Sequence, residues 1–199
     1  MRQFFLLIFV LVAACARSEA PRIVIETSAG AITLELYSDK APATAENFLR
    51  YVDAGAFDGA FFYRVTRPDN DPSITVIQGG LWAPWTDGMD EDFEAPFPPV
   101  IHETTELSGL THEDGFISMA RVAPGTASSE FFINVGDNPS LDYGGARNPD
   151  GQGFAAFGRV VDGMDVVRAI YQAPTRDGDG FAGQILSEPV EIKTVKRKK

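Results

Sequence analysis

The stretch SSEFFINVGDN at Ser128–Asn138 predicts a β-strand with two different faces. Residues Glu130–Val135 have the composition of a strand, and a Gly-Asp turn follows them. Because successive side chains on a strand point to opposite faces, Phe131 and Phe132 must point in opposite directions. We therefore expect one phenylalanine ring on each side of a sheet.

Short strands of the same kind are predicted on both sides of this stretch. Two of them form a hairpin, in which Ile23 and Ile25 precede a turn at Gly30 and alternating apolar residues follow over Ile32–Leu36. Clusters of Gly, Pro, Asn and Asp separate the others. These others are predicted over Phe61–Val65, Thr75–Gln78, Phe116–Met119, Phe154–Val160 and Pro189–Val195.

Two segments have helical periodicity instead. The first has Pro42 in its first turn and ends at Gly55, and Asp39 or a neighbouring residue is expected to cap it. The second is predicted from about Gly163 to Tyr171, with Asp162 as its cap. About eight short strands and two helices without regular alternation favour an antiparallel barrel or sandwich over a doubly wound sheet.

Composition and charge limit the class of partner. The chain has 199 residues, 44% of them hydrophobic, which is enough to form one globular domain. Its net charge is −11, and residues 1–192 alone carry −16. Such an acidic surface argues against nucleic acid as a partner, because nucleic-acid affinity rests on cations meeting phosphates. The five cations among the last seven residues are interpreted as a solvated basic C-terminal tail.

The N-terminus has the pattern of an export signal. A cationic start precedes eleven apolar residues, Phe4–Ala14, which are too few to span a bilayer. One possible cleavage removes a signal peptide of residues 1–20 and leaves a single domain over 21–199. The other removes a lipoprotein signal of residues 1–14, so that Cys15 becomes lipidated and a lipid anchor is the only contact with a membrane. Both predict a protein of the periplasm or cell envelope, and a lone cysteine excludes a disulfide within the mature chain.

Several kinds of site are not expected. His102 and His112 are the only histidines and have no metal-binding spacing, and the serines lie in no nucleophile motif, so neither a metal nor a cofactor is predicted. The acidic segment from Asp87 to Glu94 is interpreted as a surface loop, and Asp177–Gly180 as a plain turn, since Phe181 stands where a calcium loop needs an oxygen ligand. What remains is Arg64 on one strand and Gln78 on another, together with the aromatic strand. A guanidinium, an amide and apolar walls in one cleft can bind a neutral peptide.

At these residues the sequence resembles the cyclophilin family of peptidyl-prolyl cis-trans isomerases, in particular its bacterial periplasmic branch. The similar blocks are collinear from about Ile23 to Val195. They are APATAENFLRYVDAGAFDG, FFYRV, VIQGG, GFISMAR, SSEFFINVGDN and FAAFGRVVDGMDVV. The resemblance implies a mainly β fold, an eight-stranded antiparallel closed barrel capped by two α-helices, with the substrate groove on its outer face. It also implies proline-containing polypeptide substrates, no cofactor and a monomer.

The resemblance also implies roles for nine residues. Arg64, Gln78 and Phe132 match the catalytic residues of the family. Substrate-binding positions are matched by Val76, Ala120, Arg121, Glu130, Leu141 and Phe154. The guanidinium would stabilise the twisted amide of an X-Pro bond, while Phe132 and Leu141 hold the proline ring.

The sequence also departs from the family pattern. Thr75 and Val76 replace a Phe-Met pair and predict a thinner apolar wall, and Ser140 replaces an aromatic residue, which predicts weak binding of aromatic cyclic inhibitors. Glu130 replaces a glutamine and Tyr63 a histidine. Two hypotheses therefore remain: an isomerase that assists the folding of secreted proteins, or a proline-peptide binding or chaperone module of weak activity on the same fold.

Overall fold

The computed structural model describes residues 20–82, 93–178 and 180–198. Within them, nine strands form one antiparallel sheet. The strands are β1 (Arg22–Thr27), β2 (Gly30–Leu36), β3 (Ala60–Thr66), β4 (Val76–Gly80), β5 (Phe116–Met119), β6 (Phe131–Asn134), β7 (Ala155–Asp162), β8 (Thr175–Gly178) and β9 (Phe181–Arg197). The helices are α1 (Pro42–Asp53), α2 (Thr105–Ser108) and α3 (Met164–Gln172), and a 3-10 turn spans Pro139–Leu141.

Eight of the strands close into a barrel. The sheet order is β1-β2-β7-β5-β6-β4-β3-β9-β8, and β1 also pairs with β9, so that only β8 lies outside the closed ring. Helix α1 packs against β7 and β9, and α3 against β2, β3 and β4. The predicted eight-stranded antiparallel barrel with its two longer helices is confirmed. Helix α2, strand β8 and the first half of β9 were not predicted.

The two neighbouring phenylalanines of β6 lie in different clusters, as their alternation requires. Phe131 is fully buried in the barrel core. Its ring meets those of Phe48, Phe57 and Phe62 edge to face, with centroids 5.5, 5.5 and 5.6 Å away. Phe132 belongs instead to a separate cluster on the other face of the sheet. One strand therefore contributes both to the barrel core and to the outer surface.

The N-cap of α1 is the neighbouring residue Ala41 rather than Asp39 itself. Ala41 makes no side-chain hydrogen bond to the helix. The first turn is instead capped by a carboxylate from a distant loop. Glu103 accepts hydrogen bonds from the backbone N–H groups of Ala43 at 3.2 Å and Thr44 at 2.8 Å. The free N–H groups of a first turn can be satisfied by any nearby acceptor, so the local sequence alone did not identify it.

The predicted cap of α3 is wrong. Asp162 is the last residue of β7, and the N-cap of α3 is Gly163, with φ 88° and no side-chain capping bond. A Cβ atom at this position would collide with the backbone of Ala31 and Ile32. Glycine is therefore required here by its positive φ and by the close approach of β2.

Three of the five basic residues at the C-terminus, Lys193, Lys196 and Arg197, lie in a strand rather than in a free tail. The final strand β9 continues to Arg197 and pairs with β1, with Ile23 opposite Arg197. Arg197 also donates to Asp53 at the end of α1, with two bonds of 2.7 Å. Part of the predicted tail is thus the end of the strand that closes the barrel, although the side chains of Lys193, Lys196 and Arg197 remain exposed.

Some predictions fall on residues outside the described ranges. These are the signal segment with Cys15, most of the acidic loop, and Asp179. In the part of the chain that is described, no helix is long and apolar enough to cross a membrane. The same ranges contain no group of three or more His, Cys, Asp or Glu side chains that could hold a metal ion.

Candidate active site

A groove of about 620 Å³ on the outer face of the barrel collects the predicted site residues. All nine line it. They are Arg64, Val76, Gln78, Ala120, Arg121, Glu130, Phe132, Leu141 and Phe154. Three strands contribute to the groove, β3, β4 and β6, together with the residue just before β6. The others come from the loop after β5, the 3-10 turn and the loop that ends just before β7. Residues far apart in the chain therefore share one cavity.

Two polar side chains from adjacent strands form the charged side of the groove. Arg64 on β3 lies directly opposite Gln78 on β4 in the sheet register. Its Nη1 donates to Oε1 of Gln78 at 2.7 Å, and its Nε donates to Oε1 of Gln184 at 2.8 Å. The guanidinium also lies over the ring of Phe181, 4.7 Å from its centroid. These contacts hold its plane in one orientation.

A β-bulge brings a second polar side chain to Gln78. The register between β3 and β4 shifts between Phe62 and Arg64, so that Tyr63 is an extra residue on its strand. The Tyr63 hydroxyl accepts from Nε2 of Gln78 at 2.8 Å and donates to Oε2 of Glu130 at 2.6 Å. Two consecutive residues of β3 thus reach the same amide, which strict alternation would prevent.

Burial shifts the pKa values of the ionisable side chains in this cluster, Glu130, Tyr63 and Arg64. It raises the pKa of Glu130 above its usual range, although hydrogen bonds from Tyr63 and from the Trp82 N–H act in the opposite direction. Burial, with the Glu130 charge as a second cause, raises the pKa of Tyr63 well above its ordinary value. Burial also lowers the pKa of Arg64. Tyr63 is therefore a neutral hydroxyl at physiological pH, and Arg64 stays charged because a guanidinium is not deprotonated in proteins.

The opposite side of the groove is apolar. Phe132 is 4% exposed and packs in one cluster with Val76 and Leu141. Ala120 and Phe154 are partly buried against this cluster. The Phe154 ring stands edge-on to Phe132, with centroids 5.3 Å apart. An aromatic floor with aliphatic walls matches the shape and polarity of a proline ring.

The departures at Thr75, just before β4, and at Ser140, in the 3-10 turn, make hydrogen bonds within the protein, and Ile74 supplies the apolar wall. Ile74 is 6% exposed and packs in the Phe132 cluster. The Thr75 hydroxyl donates to the carbonyl of Val135 at 2.7 Å, and the Ser140 hydroxyl donates to the carbonyl of Ser73 at 2.9 Å. The wall is thus thicker than expected. Ile74 is the one large aliphatic residue in an otherwise polar loop, a signal that was available in the sequence.

Arg121 lines the groove, but its charged end is engaged with the protein. It donates to both carboxylate oxygens of Asp150, at 2.8 and 2.9 Å, and through Nε to the carbonyl of Gly153 at 2.8 Å. Its side chain is 1% exposed and lies over the Phe154 ring at 5.3 Å. These bonds lower the pKa of Asp150 to about 2. Arg121 therefore holds the loop that carries Phe154 in place.

Three residues in or beside the groove, Gln184, Phe181 and Trp82, were not identified from the sequence. Gln184 and Phe181 belong to the first half of β9, which was not predicted as a strand. Trp82 follows β4 and stands edge-on to Tyr63, with centroids 5.4 Å apart. Only the return of β9 beside β3 brings Gln184 and Phe181 to Arg64.

Comparisons with known proteins agree with this geometry. The family described as cyclophilin type peptidyl-prolyl cis-trans isomerase/CLD matches residues 22–197. A peptidyl-prolyl cis-trans isomerase of Streptomyces antibioticus is 39% identical over 173 residues, which cover 86% of this chain and 95% of that protein. Peptidyl-prolyl cis-trans isomerase A of Dickeya dadantii is 36% identical over 184 residues, with coverages of 92% and 87%.

A solved structure agrees at the level of the fold. The cyclophilin type peptidyl-prolyl cis-trans isomerase of Cryptosporidium parvum has a TM-score of 0.66 to this chain, over 90% of this chain and 98% of that one, at 20% sequence identity. The family match extends over nearly the whole barrel and includes both strands that carry the polar pair. The chain therefore belongs to the cyclophilin family and is a peptidyl-prolyl cis-trans isomerase, an enzyme that interconverts the cis and trans forms of peptide bonds preceding proline.

Proposed function

We propose that this isomerase acts through Arg64, Gln78 and Phe132 in the outer groove, and that its substrates are proline-containing segments of exported proteins. The observation that carries the proposal is the meeting of an oriented guanidinium and a proline-sized apolar cluster in a single groove. Supporting it, a cyclophilin type isomerase from Cryptosporidium parvum has been crystallised in the presence of the dipeptide Ala-Pro.

The chemistry required is the twisting of an amide. Rotation about an X-Pro bond is slow because the amide loses its resonance at the half-turned geometry, and the barrier is about 18–20 kcal/mol. At that geometry the prolyl nitrogen becomes pyramidal and can accept a hydrogen bond, which it cannot do in the planar amide. A donor that meets this nitrogen stabilises the transition state over both ground states.

Arg64 is suited to be that donor. Its Nε and Nη1 are engaged with Gln184 and Gln78, and among the described residues Nη2 has no protein partner. Phe132 and Leu141 hold the proline ring while the preceding carbonyl group rotates. No bond is made or broken, so the reaction needs no nucleophile and no proton transfer.

A proline-exchange measurement tests the site. Cis/trans exchange of an Ala-Pro peptide is followed by NMR without a coupled protease, for the wild type and for Arg64→Ala. We expect Arg64→Ala to lower kcat/KM about 100-fold, as loss of a transition-state donor does elsewhere. Arg168→Ala is the matched control, because Arg168 pairs with Asp114 away from the groove. Peptide binding by the wild type without faster exchange would favour the binding module instead.

The proposed location rests on the N-terminal signal. An export signal followed by a folded isomerase fits a role in the folding of envelope proteins, in either a free or a lipid-anchored form. The mass of the mature N-terminus distinguishes them, since the chain would begin at Pro21 in one case and at a lipidated Cys15 in the other. Recovery of the uncleaved chain from the cytosol would refute the location.

A further inference from the structure

A chain of hydrogen bonds links a buried carboxylate to the guanidinium of the groove. Glu130 accepts from the Tyr63 hydroxyl at 2.6 Å. Tyr63 accepts from Nε2 of Gln78 at 2.8 Å, and Oε1 of Gln78 accepts from Nη1 of Arg64 at 2.7 Å. Each member can affect the next, because every bond in the chain shares a group with its neighbour.

The carboxylate fixes the direction of this chain. An ionised carboxylate can only accept, and Glu130 also receives the Trp82 N–H at 2.9 Å and the Ser129 hydroxyl at 3.2 Å. Tyr63 must therefore donate towards Glu130, and its oxygen is left to accept from Gln78. Both carboxylate oxygens are already engaged, so this carboxylate is positioned to act on its neighbours rather than on a bound peptide.

The other end of the chain has the opposite requirement. A guanidinium can only donate, so Arg64 needs the oxygen of the Gln78 amide and not its nitrogen. An amide has one group of each kind. If Tyr63 donated to Gln78 instead, the amide would turn its NH2 towards Arg64, and two donors would face each other. Glu130, which accepts at one end, and Arg64, which donates at the other, therefore allow only one direction of donation along these hydrogen bonds.

We propose that Glu130 is a positioning residue of this isomerase: its acceptor-only carboxylate, through Tyr63, keeps the Gln78 oxygen on Arg64 and so holds the guanidinium in its working orientation. This role goes further than the predicted contact between Glu130 and substrate, and it rests on the proposed function of Arg64. Space for the carboxylate comes from Gly80, where a Cβ atom would overlap it.

Replacing the Glu130 carboxylate with a neutral amide should reverse the direction of donation along these hydrogen bonds. In Glu130→Gln the amide oxygen is held by Trp82 and Ser129, and the NH2 group faces Tyr63. The hydroxyl then accepts from residue 130 and donates to Gln78, which turns its NH2 towards Arg64. We expect kcat to fall about tenfold, as for loss of a hydrogen bond to a charged group, with KM changed less than about twofold.

A second substitution distinguishes a reversed direction of hydrogen bonding from a general loss of structure at the site. Tyr63→Phe removes the hydroxyl that transmits the direction, so the Gln78 oxygen can stay on Arg64 whatever stands at position 130. We therefore expect the double variant Tyr63→Phe with Glu130→Gln to be faster than Glu130→Gln alone. Two merely structural losses would instead add, and would make the double variant the slowest.

The pH dependence of the unmodified enzyme gives an independent readout. Protonation turns Glu130 into a group that can donate, so kcat should fall at low pH in the wild type but not in Glu130→Gln. Glu130 is faced by Tyr63 on β3, and its charge also acts on Tyr51 of α1, while Arg64 is joined to it through Gln78. Neither tyrosine titrates in the acidic range, since the pKa of each is raised by burial.

The experiment is NMR proline exchange on an Ala-Pro peptide with the four proteins of this cycle and Arg64→Ala. Glu106→Gln makes the same chemical change at an exposed position outside the groove and should behave as wild type. The proposal is overturned if Glu130→Gln retains kcat within about twofold, or if the double variant is slower than Glu130→Gln. Should Glu130→Gln fail to fold, a wild-type kcat that stays flat to acidic pH while the protein is folded overturns it. An Arg64→Ala variant as fast as wild type would refute the proposed function instead.

Discussion

Exchanging each of two neighbouring phenylalanines for leucine should produce opposite defects. Phe131 makes three edge-to-face contacts in the barrel core, whereas Phe132 forms the floor of the groove. Each aromatic pair contributes about 0.5–1.5 kcal/mol, and leucine retains part of the packing, so Phe131→Leu should lower the free energy of unfolding by about 2 kcal/mol. That corresponds to a fall in Tm of about 4–8 °C for a domain of this size.

Phe132→Leu should chiefly affect catalysis. In the protein itself it loses one edge contact with Phe154 and the stacking of His112, whose ring centroid lies 6.0 Å away, a cost of about 1 kcal/mol. The larger effect is on the proline ring, which loses an aromatic floor. A loss of about 1.4 kcal/mol in transition-state binding lowers kcat/KM about tenfold.

Urea denaturation and NMR proline exchange on the same samples separate the two effects. Phe131→Leu should retain kcat/KM within about twofold while its urea midpoint falls. Equal loss of exchange in both variants would refute the assignment of the two faces of β6. So would a Phe131→Leu variant that is slow but as stable as the wild type.

Three further outcomes follow from named contacts. Glu103→Ala removes the acceptor for the N–H groups of Ala43 and Thr44, and should lower thermal stability by about 1 kcal/mol without changing exchange. Ile74→Ser removes an aliphatic wall of the proline cluster, and should raise KM in peptide titrations more than it lowers kcat. The pKa of Asp150 is about 2 when folded, below its ordinary value, so the stability given by its pair with Arg121 is present at neutral pH and is lost only as the pH falls from about 4 to 2. NMR titration of the Asp150 carboxyl carbon checks this, and a midpoint near 4 would contradict it.

Most of the barrel could be predicted from the sequence because alternation is a local property. The split between Phe131 and Phe132, the hairpin after Ile23 and the positions of both longer helices follow from the spacing of apolar residues and turn residues along the chain. The acceptor for the first turn of α1 could not be predicted, because Glu103 lies about 60 residues from the N–H groups it accepts from. Strand β8 has charged residues or Gly at three of its four positions, and it pairs with the start of β9, which also pairs with β3. These pairings, rather than local strand propensity, make both segments strands.

By itself the sequence determined the fold class and the nine candidate residues, because collinear blocks of this length specify a family. It also predicts an export signal, from the pattern of its first twenty residues. Only the tertiary structure decided what those residues do to one another. The bulge that turns Tyr63 towards Gln78, the return of Gln184 and Phe181 to Arg64, and the engagement of Arg121 by Asp150 all join residues from separate elements. The reason is physical: hydrogen-bond direction and burial depend on which groups meet in space, and no local pattern of residues records that.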